Sequence, residues 1–306
     1  MKIKNLILTL SLLLTTTGCT LAQPAIFQTK PWNATVKVVG EDRLPISKAD
    51  VSVAYTKPPY AFSDDENYHG IIWGTTDRDG TFSATHDDRT GMVGFSANKQ
   101  GYYQTRWSQE LRDPSENTGD RNITVTLLLK KIANPTSMYA KKIDSFTFPA
   151  FNKPIGYDFT IGDWIAPYGK GVNSDVFFTE NHPDEKSGYT FTISFPNPED
   201  GIQGFTRDWS QGVSGLLSSH EAPLDGYQPK YEQTQMPSPD RIYYFRVRTK
   251  VDDRGNIVSA HYGKIYGDIP QFTYYLNPTP NQRNIEFDPK QNLIHDLQPI
   301  EQVTQP

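Results

Sequence analysis

Apolar side chains recur at every second position through much of this chain, and that period most limits what it can fold into. In Tyr189-Thr190-Phe191-Thr192-Ile193-Ser194-Phe195 the alternation is strict, as in a strand with one face in a core and the other in solvent. Ala34 to Val39, Asp50 to Thr56, Met92 to Ala97 and Ile123 to Leu129 read as further strands. Ile242 to Thr249 runs into Asp252-Asp253-Arg254-Gly255-Asn256 and returns as Ile257 to Ile265, a hairpin pattern, with Phe272 to Leu276 expected beside it. Aromatic residues make up 12% of the chain, and 23 Pro and 22 Gly are scattered along it. That composition suits short strands joined by many turns, so the fold class is mainly β.

The N-terminus follows the plan of an export signal. Lys2 and Lys4 precede the apolar run Leu6 to Leu14, which is too short to span a bilayer as a helix. Thr15-Thr16-Thr17-Gly18 leads into Cys19, the only cysteine. This placement resembles the lipobox of bacterial lipoproteins, although Thr16 stands where that family favours Leu. The resemblance implies a signal peptide over 1–18, a lipidated Cys19 as mature N-terminus, a tether over 19–31 and attachment to the membrane through the N-terminal lipid. Ordinary signal cleavage after Ala22 is the alternative, and would discard Cys19. The expected location is the bacterial cell envelope, periplasm-facing or at the surface; without the lipid, the protein is secreted.

About 285 residues follow the signal, enough for two domains with separate cores. The formal net charge is −5 and becomes more negative once Lys2 and Lys4 are removed, which argues against nucleic acid as a partner.

Three features in the first hundred mature residues occur in order: Ala49-Asp50-Val51-Ser52-Val53; the turn Thr76-Asp77-Arg78-Asp79-Gly80-Thr81-Phe82; and Lys99-Gln100-Gly101-Tyr102. Together they resemble the carboxypeptidase regulatory-like domain. The resemblance implies a transthyretin-like β-sandwich of about seven strands over 32–132, an accessory module without catalytic residues. Within it Gly80 is expected to take a positive φ, and Phe82 and Tyr102 to pack between the sheets. Asp77 and Asp79 read as turn caps; a calcium loop would need further ligands that are missing.

Between two strands of this domain, Lys57 to Gly70 places Tyr60, Phe62 and Tyr68 beside Asp64-Asp65-Glu66. Rings next to carboxylates are groups that stack on and hydrogen-bond to sugars; the other reading is an insertion that covers the sandwich edge. A linker is expected over 133–148, with Met138 to Lys142 a short linker or helical turn. A second β-rich domain follows over 149–293, and a flexible tail over 294–306. In the second domain Asp163 to Gly171 mixes turn residues with the rings of Trp164 and Tyr168, two further candidate ligand-binding residues. Gly201 to Pro239 reads as loop, with Trp209 and Leu216-Leu217 anchoring a short helix.

The six histidines lie far apart and outside metal-binding spacings. The thiol is confined to the export signal. Gly212-Val213-Ser214-Gly215 approaches a nucleophile elbow but lacks its spacing. No phosphate loop, cofactor motif or dinucleotide fingerprint occurs. Glycoside cleavage needs only two suitably placed carboxylates, for which Asp163 and Asp268 are first candidates, each also explicable as a turn residue. These features favour a non-enzymatic, lipid-anchored envelope protein that binds a cell-envelope component, protein or glycan. The alternative is a carbohydrate-binding or carbohydrate-active protein using aromatic residues and paired carboxylates.

Overall fold

The computed structural model describes residues 31–56, 69–86, 92–110, 122–182 and 188–306. The protein is mainly β, a β-sandwich followed by a second β-rich unit. The first unit is built from β1 (Trp32–Val39), β2 (Asp50–Thr56), β3 (His69–Thr75), β4 (Thr81–His86), β5 (Met92–Asn98), β6 (Thr105–Glu110) and β7 (Asn122–Leu128). Strand β1 pairs antiparallel with β4 and parallel with β7, while β6, β5, β2 and β3 lie side by side in the facing sheet. Alternate residues Ala34, Val36 and Val38 of one sheet meet Val51, Val53, Tyr55, Val93 and Phe95 of the other in a closed apolar core.

The Asp77 turn folds as its composition requires. The Asp77 carboxylate accepts the backbone N–H groups of Asp79 and Thr81 at 2.9 and 2.8 Å, and Gly80 takes φ +70°. Phe82 then lies over Gly74, where a Cβ would sit 2.0 Å from the ring.

The second unit comprises β8 (Thr136–Ile143), β9 (Ile155–Asp158), β10 (Asp163–Trp164), β11 (Val176–Asn181), β12 (Thr190–Ser194), β13 (Gly201–Thr206), β14 (Val213–Ser214), β15 (Lys230–Gln233), β16 (Arg241–Val251), β17 (Ile257–Asp268), β18 (Gln271–Leu276) and β19 (Phe287–Asn292). The expected hairpin forms as β16 and β17, with β18 beside it. One face of the sheet β13-β16-β17-β18-β8-β19 packs on the sheet β10-β9-β11-β12-β15 through Phe146, Tyr157, Phe159, Trp164, Phe178 and their neighbours. The other face, around Met138, Tyr244, Tyr275 and Phe287, is covered by connecting segments through Ala222, Ile285 and Val303.

Three expectations differ from this arrangement. Residues 136–143, predicted as linker or helical turn, form β8 between β18 and β19; Met138 and Ala140 alternate inward and are fully buried. The stretch 201–239 contains β13, β14 and β15 and no helix. The tail does not fray: Glu301 pairs with Lys141 at 2.8 Å, Tyr275 donates to the Gln305 carbonyl, and Val303 is buried.

The two units are joined by more than the chain that runs from one to the other. Strand β14 of the second pairs with Thr105 and Arg106 of β6, extending the first sandwich's sheet. Gly212 makes this approach possible, since a Cβ there would stand 2.7 Å from Thr105 Cγ2 and 2.9 Å from Leu127 Cδ2.

Candidate functional site

The sheet β14-β6-β5-β2-β3 turns one face to its core, and Asp50, Ile71, Trp73 and Asn98 on its other face are exposed. Because successive side chains alternate, the outward residues of β2 are Asp50, Ser52 and Ala54. The pairing registers align them in rows across the sheet. Trp73, Ser52, Ser96 and Arg106 form one row; Thr75, Asp50 and Asn98 form the next; and Ile71, Ala54, Gly94 and Ser108 the one before. In these three rows the two central strands carry only short side chains, with Ile71 and Trp73 beside them on β3 and Arg106 on β6. The result is a trough whose floor is two strands wide.

At one end of that trough, Asp50, Trp73, Thr75, Ser96, Asn98 and Gln104 line an open depression of about 460 Å³. Trp73 is the wall on β3, with 70% of its surface exposed. Ser52 and Ser96 share a hydrogen bond of 2.9 Å across the floor, and Arg106 donates to Gln104 Oε1 at 2.9 Å on the far wall. An exposed indole beside a carboxylate, two amides and hydroxyls offers an apolar stacking plane next to several donors and acceptors. Sequence reasoning missed Trp73. The signal was present in His69 to Thr75, where the alternation puts Ile72 inward and Ile71 and Trp73 outward, and both outward residues are exposed.

The residues singled out from sequence are not brought together. Cys19, Tyr60, Phe62 and Tyr68 lie outside the described residues. Trp164, expected at a ligand surface, is buried: its ring stacks on Phe146 at 4.4 Å and meets Tyr157 and Phe148 edge-on or tilted. Tyr168 is 40% exposed, with Lys153 Nζ 5.9 Å above its ring.

Asp163 caps its own loop by accepting the N–H groups of Trp164 and Lys170 at 2.8 Å each. Asp268 is buried against Arg241 Nε at 2.9 Å and accepts from the Tyr243 hydroxyl and the Ser238 N–H. It borders a second depression of about 430 Å³, with Lys142, Asp144 and Gln271. Ser214 lies in β14, on a strand edge instead of a strand-to-helix turn, and its buried hydroxyl has no hydrogen-bond partner among the described residues. Among the described residues, no group of three or more His, Cys, Asp or Glu is placed to hold a metal ion.

Two further buried polar networks lie among the described residues. In the second unit Arg248 donates to Asp175 Oδ1 at 2.6 Å and Oδ2 at 3.0 Å, and approaches Asp158 at 3.5 Å. Asp158 also accepts from the Thr160, Val172 and Asn173 N–H groups. Burial works to raise its pKa, but these hydrogen bonds hold it below the usual carboxylate range. The pKa of Asp175 is raised by burial in spite of Arg248.

The second network joins the two units. Glu286 accepts from Tyr103, and Lys130 donates to the Ser218 carbonyl at 2.7 Å. Lys264 Nζ lies 3.2 Å from Ser218 Oγ and within 4.8 Å of the Tyr266 and Tyr275 ring centres. Ser218 is itself only 1% exposed, which closes this Ser–Lys pair to any substrate.

No family model matches the chain, and no curated protein matches it. Among solved structures it is similar to a DUF3823 family protein from Parabacteroides merdae, at 9% identity and a TM-score of 0.21, over 84% of this chain and 98% of that one. It is also similar to the shaft pilin spaA from Lactobacillus rhamnosus GG, at 12% identity and a TM-score of 0.24, over 57% of this chain and 90% of the pilin. Wild-type catechol 1,2 dioxygenase from Acinetobacter radioresistens matches at 14% identity and a TM-score of 0.27, over 35% of this chain and 54% of the enzyme, so the chain spans about half the enzyme's length. At these scores the likenesses carry no inference to function. No helix among the described residues is long and apolar enough to cross a membrane.

Proposed function

We propose that the protein is an exported, non-enzymatic component of the bacterial cell envelope, held to a membrane by a lipid on Cys19, and that it docks an envelope component on the open face of its first β-sandwich. In this reading the first unit is a carboxypeptidase regulatory-like accessory module. The observation that carries the proposal is the Trp73 trough: a large indole, 70% exposed, beside the polar side chains of Asp50, Ser96, Asn98 and Gln104. With Ile71 exposed beside it on the same face of β3, the indole forms an apolar patch rimmed by polar side chains, the arrangement of an interaction site.

The alternative of a glycoside-cleaving enzyme asks for two facing carboxylates with room for a sugar between them. Among the described residues Asp158 and Asp175 share Arg248, and Glu41 and Glu286 share His220, so a basic side chain stands between the carboxylates of each pair.

Fractionation of expressing cells tests both halves of the proposal. Cys19→Ser is expected to move the protein from the membrane fraction to the soluble one. In the lipid-free protein, Trp73→Ala is expected to reduce cosedimentation with isolated envelopes. Unchanged fractionation of the first variant would remove the lipid anchor, and unchanged cosedimentation of the second would remove the docking face.

A further inference from the structure

We infer that the Trp73 trough takes a neutral oligosaccharide, the hydroxyl-rich chain of an envelope or extracellular polysaccharide. This rests on the docking role proposed for the same face and specifies its ligand.

The argument starts from the shape of the floor. Strands β2 and β5 present Ala54 and Gly94, then Ser52 and Ser96, then Asp50 and Asn98, in rows separated by two residues. Wall to wall, from β3 to β6, the trough crosses three strand spacings, about 14 Å, and two row steps along the strands cover about 13 Å. A flat, short-residue floor of that size fits a ribbon-like chain of several rings better than a globular anchor residue, which would need a pocket.

The chemistry then selects among ribbon-like ligands. A sugar ring has one face of C–H bonds and a rim of hydroxyls. Trp73, 70% exposed, presents an apolar plane for the first. Asp50, Asn98, Gln104 and Ser96 surround the depression next to it and supply both donors and acceptors for the second. An extended apolar peptide would set its side chains against these polar groups and have only its backbone N–H and C=O to pair with them. A polyanion would meet the Asp50 carboxylate, and the facing Arg106 already donates to Gln104. A neutral polyhydroxyl chain satisfies all of them.

Native gels cast with soluble β-glucan, xylan, glucomannan, galactan or starch provide the test, run with the full-length protein. The expected result is retardation by at least one of the five. Trp73→Ala should weaken that retardation about tenfold or more, Trp73→Phe should keep part of it, and Asn98→Ala should reduce it several-fold with no change in Tm. Retardation by none of the five, or retardation that Trp73→Ala leaves unchanged, overturns the assignment. Cosedimentation with isolated envelopes, run in parallel, separates the two levels of the claim. If Trp73→Ala abolishes cosedimentation while no polysaccharide retards the protein, the docking face stands and the neutral-oligosaccharide assignment falls. If Trp73→Ala alters neither readout, both fall.

Discussion

Tyr103 of the first sandwich donates its hydroxyl to Glu286 Oε1 of the second unit at 2.6 Å. The same carboxylate accepts the N–H groups of Ala133 and Asn134 at 3.0 and 2.8 Å and faces His220 Nδ1 at 3.1 Å. One buried side chain therefore collects the two units and the segment between them. Burial alone would raise its pKa, but these donors hold it below the ordinary range for glutamate.

Replacing Glu286 by Leu leaves the Ala133 and Asn134 donors without an acceptor and is expected to cost about 3 kcal/mol or more, whereas Tyr103→Phe, which removes one bond to a charged group, costs about 1.5 kcal/mol. The pH dependence follows from the depressed pKa. The carboxylate stabilises the fold above its unfolded value, near 4.5, and that contribution is lost as pH falls through the folded value. Urea denaturation across acidic pH should show the gap between wild type and Glu286→Leu closing as the solution is acidified. A gap independent of pH would show that the carboxylate's charge is not what joins the units.

Arg248 stands between Asp158 and Asp175 on a backbone at φ +56°, a conformation unusual for a residue with a side chain. Its neighbour network explains why that conformation is held: Asp200 accepts the Arg248 and Thr249 N–H groups at 3.1 and 2.9 Å. Arg248→Leu removes the cation from two buried carboxylates and is expected to cost about 3–5 kcal/mol at neutral pH. The raised pKa of Asp175 sets the direction of the rescue. Without the arginine, protonation relieves the uncompensated charge, so the variant should recover stability relative to wild type as pH falls toward about 4. Denaturant titrations at the two pH values check this, and an equal loss at both would remove the electrostatic account.

Strands with a period of two over five or more residues were legible in the sequence: β1, β2, β5, β7, β12 and the β16–β17 hairpin lie where alternation puts them. β8 escaped because Lys141 and Lys142 near its end read as solvent-facing. In the folded chain Lys141 reaches the Gly162 carbonyl and Glu301, a long-range arrangement that no local pattern announces. The candidate site was less legible. Ring exposure depends on what packs over each ring, and a two-residue strand such as β10 is too short for its period to say that Trp164 points inward. The buried ring thus looked like a ligand platform, while Trp73, in a short strand between glycines, did not stand out.

That contrast gives a direct comparison of two residues in one loop. Trp164→Ala empties a site walled by Phe146, Phe148, Tyr157 and Phe178 and is expected to cost about 3–5 kcal/mol. Tyr168→Ala, four residues later and exposed, should stay within about 0.5 kcal/mol of wild type. Thermal unfolding of the two variants distinguishes a core residue from a surface one, and a stable Trp164→Ala protein would return that ring to the list of ligand candidates.

Lys264 sits wholly inside the protein, its ammonium nitrogen near Ser218 Oγ and over the Tyr266 and Tyr275 rings. Burial pushes its pKa well below the usual lysine range; the like charge of Lys130 adds to the shift and Glu286 opposes it. Between the folded and unfolded values the unfolded chain binds the extra proton, so this lysine makes stability rise with pH in that window and withholds it as pH falls. Lys264→Met keeps the unbranched shape and removes the titration. Tm measured from about pH 7 to about pH 9.5 should therefore show the variant's advantage largest at the lower end and shrinking toward the unfolded lysine value near 10.4. Comparison with the variant cancels the buried tyrosines, whose own ionisation acts in the opposite direction at the alkaline end. A difference that stays flat across the range would mean that Lys264 keeps its proton inside the fold, held by Glu286 through the same polar network that joins the two units.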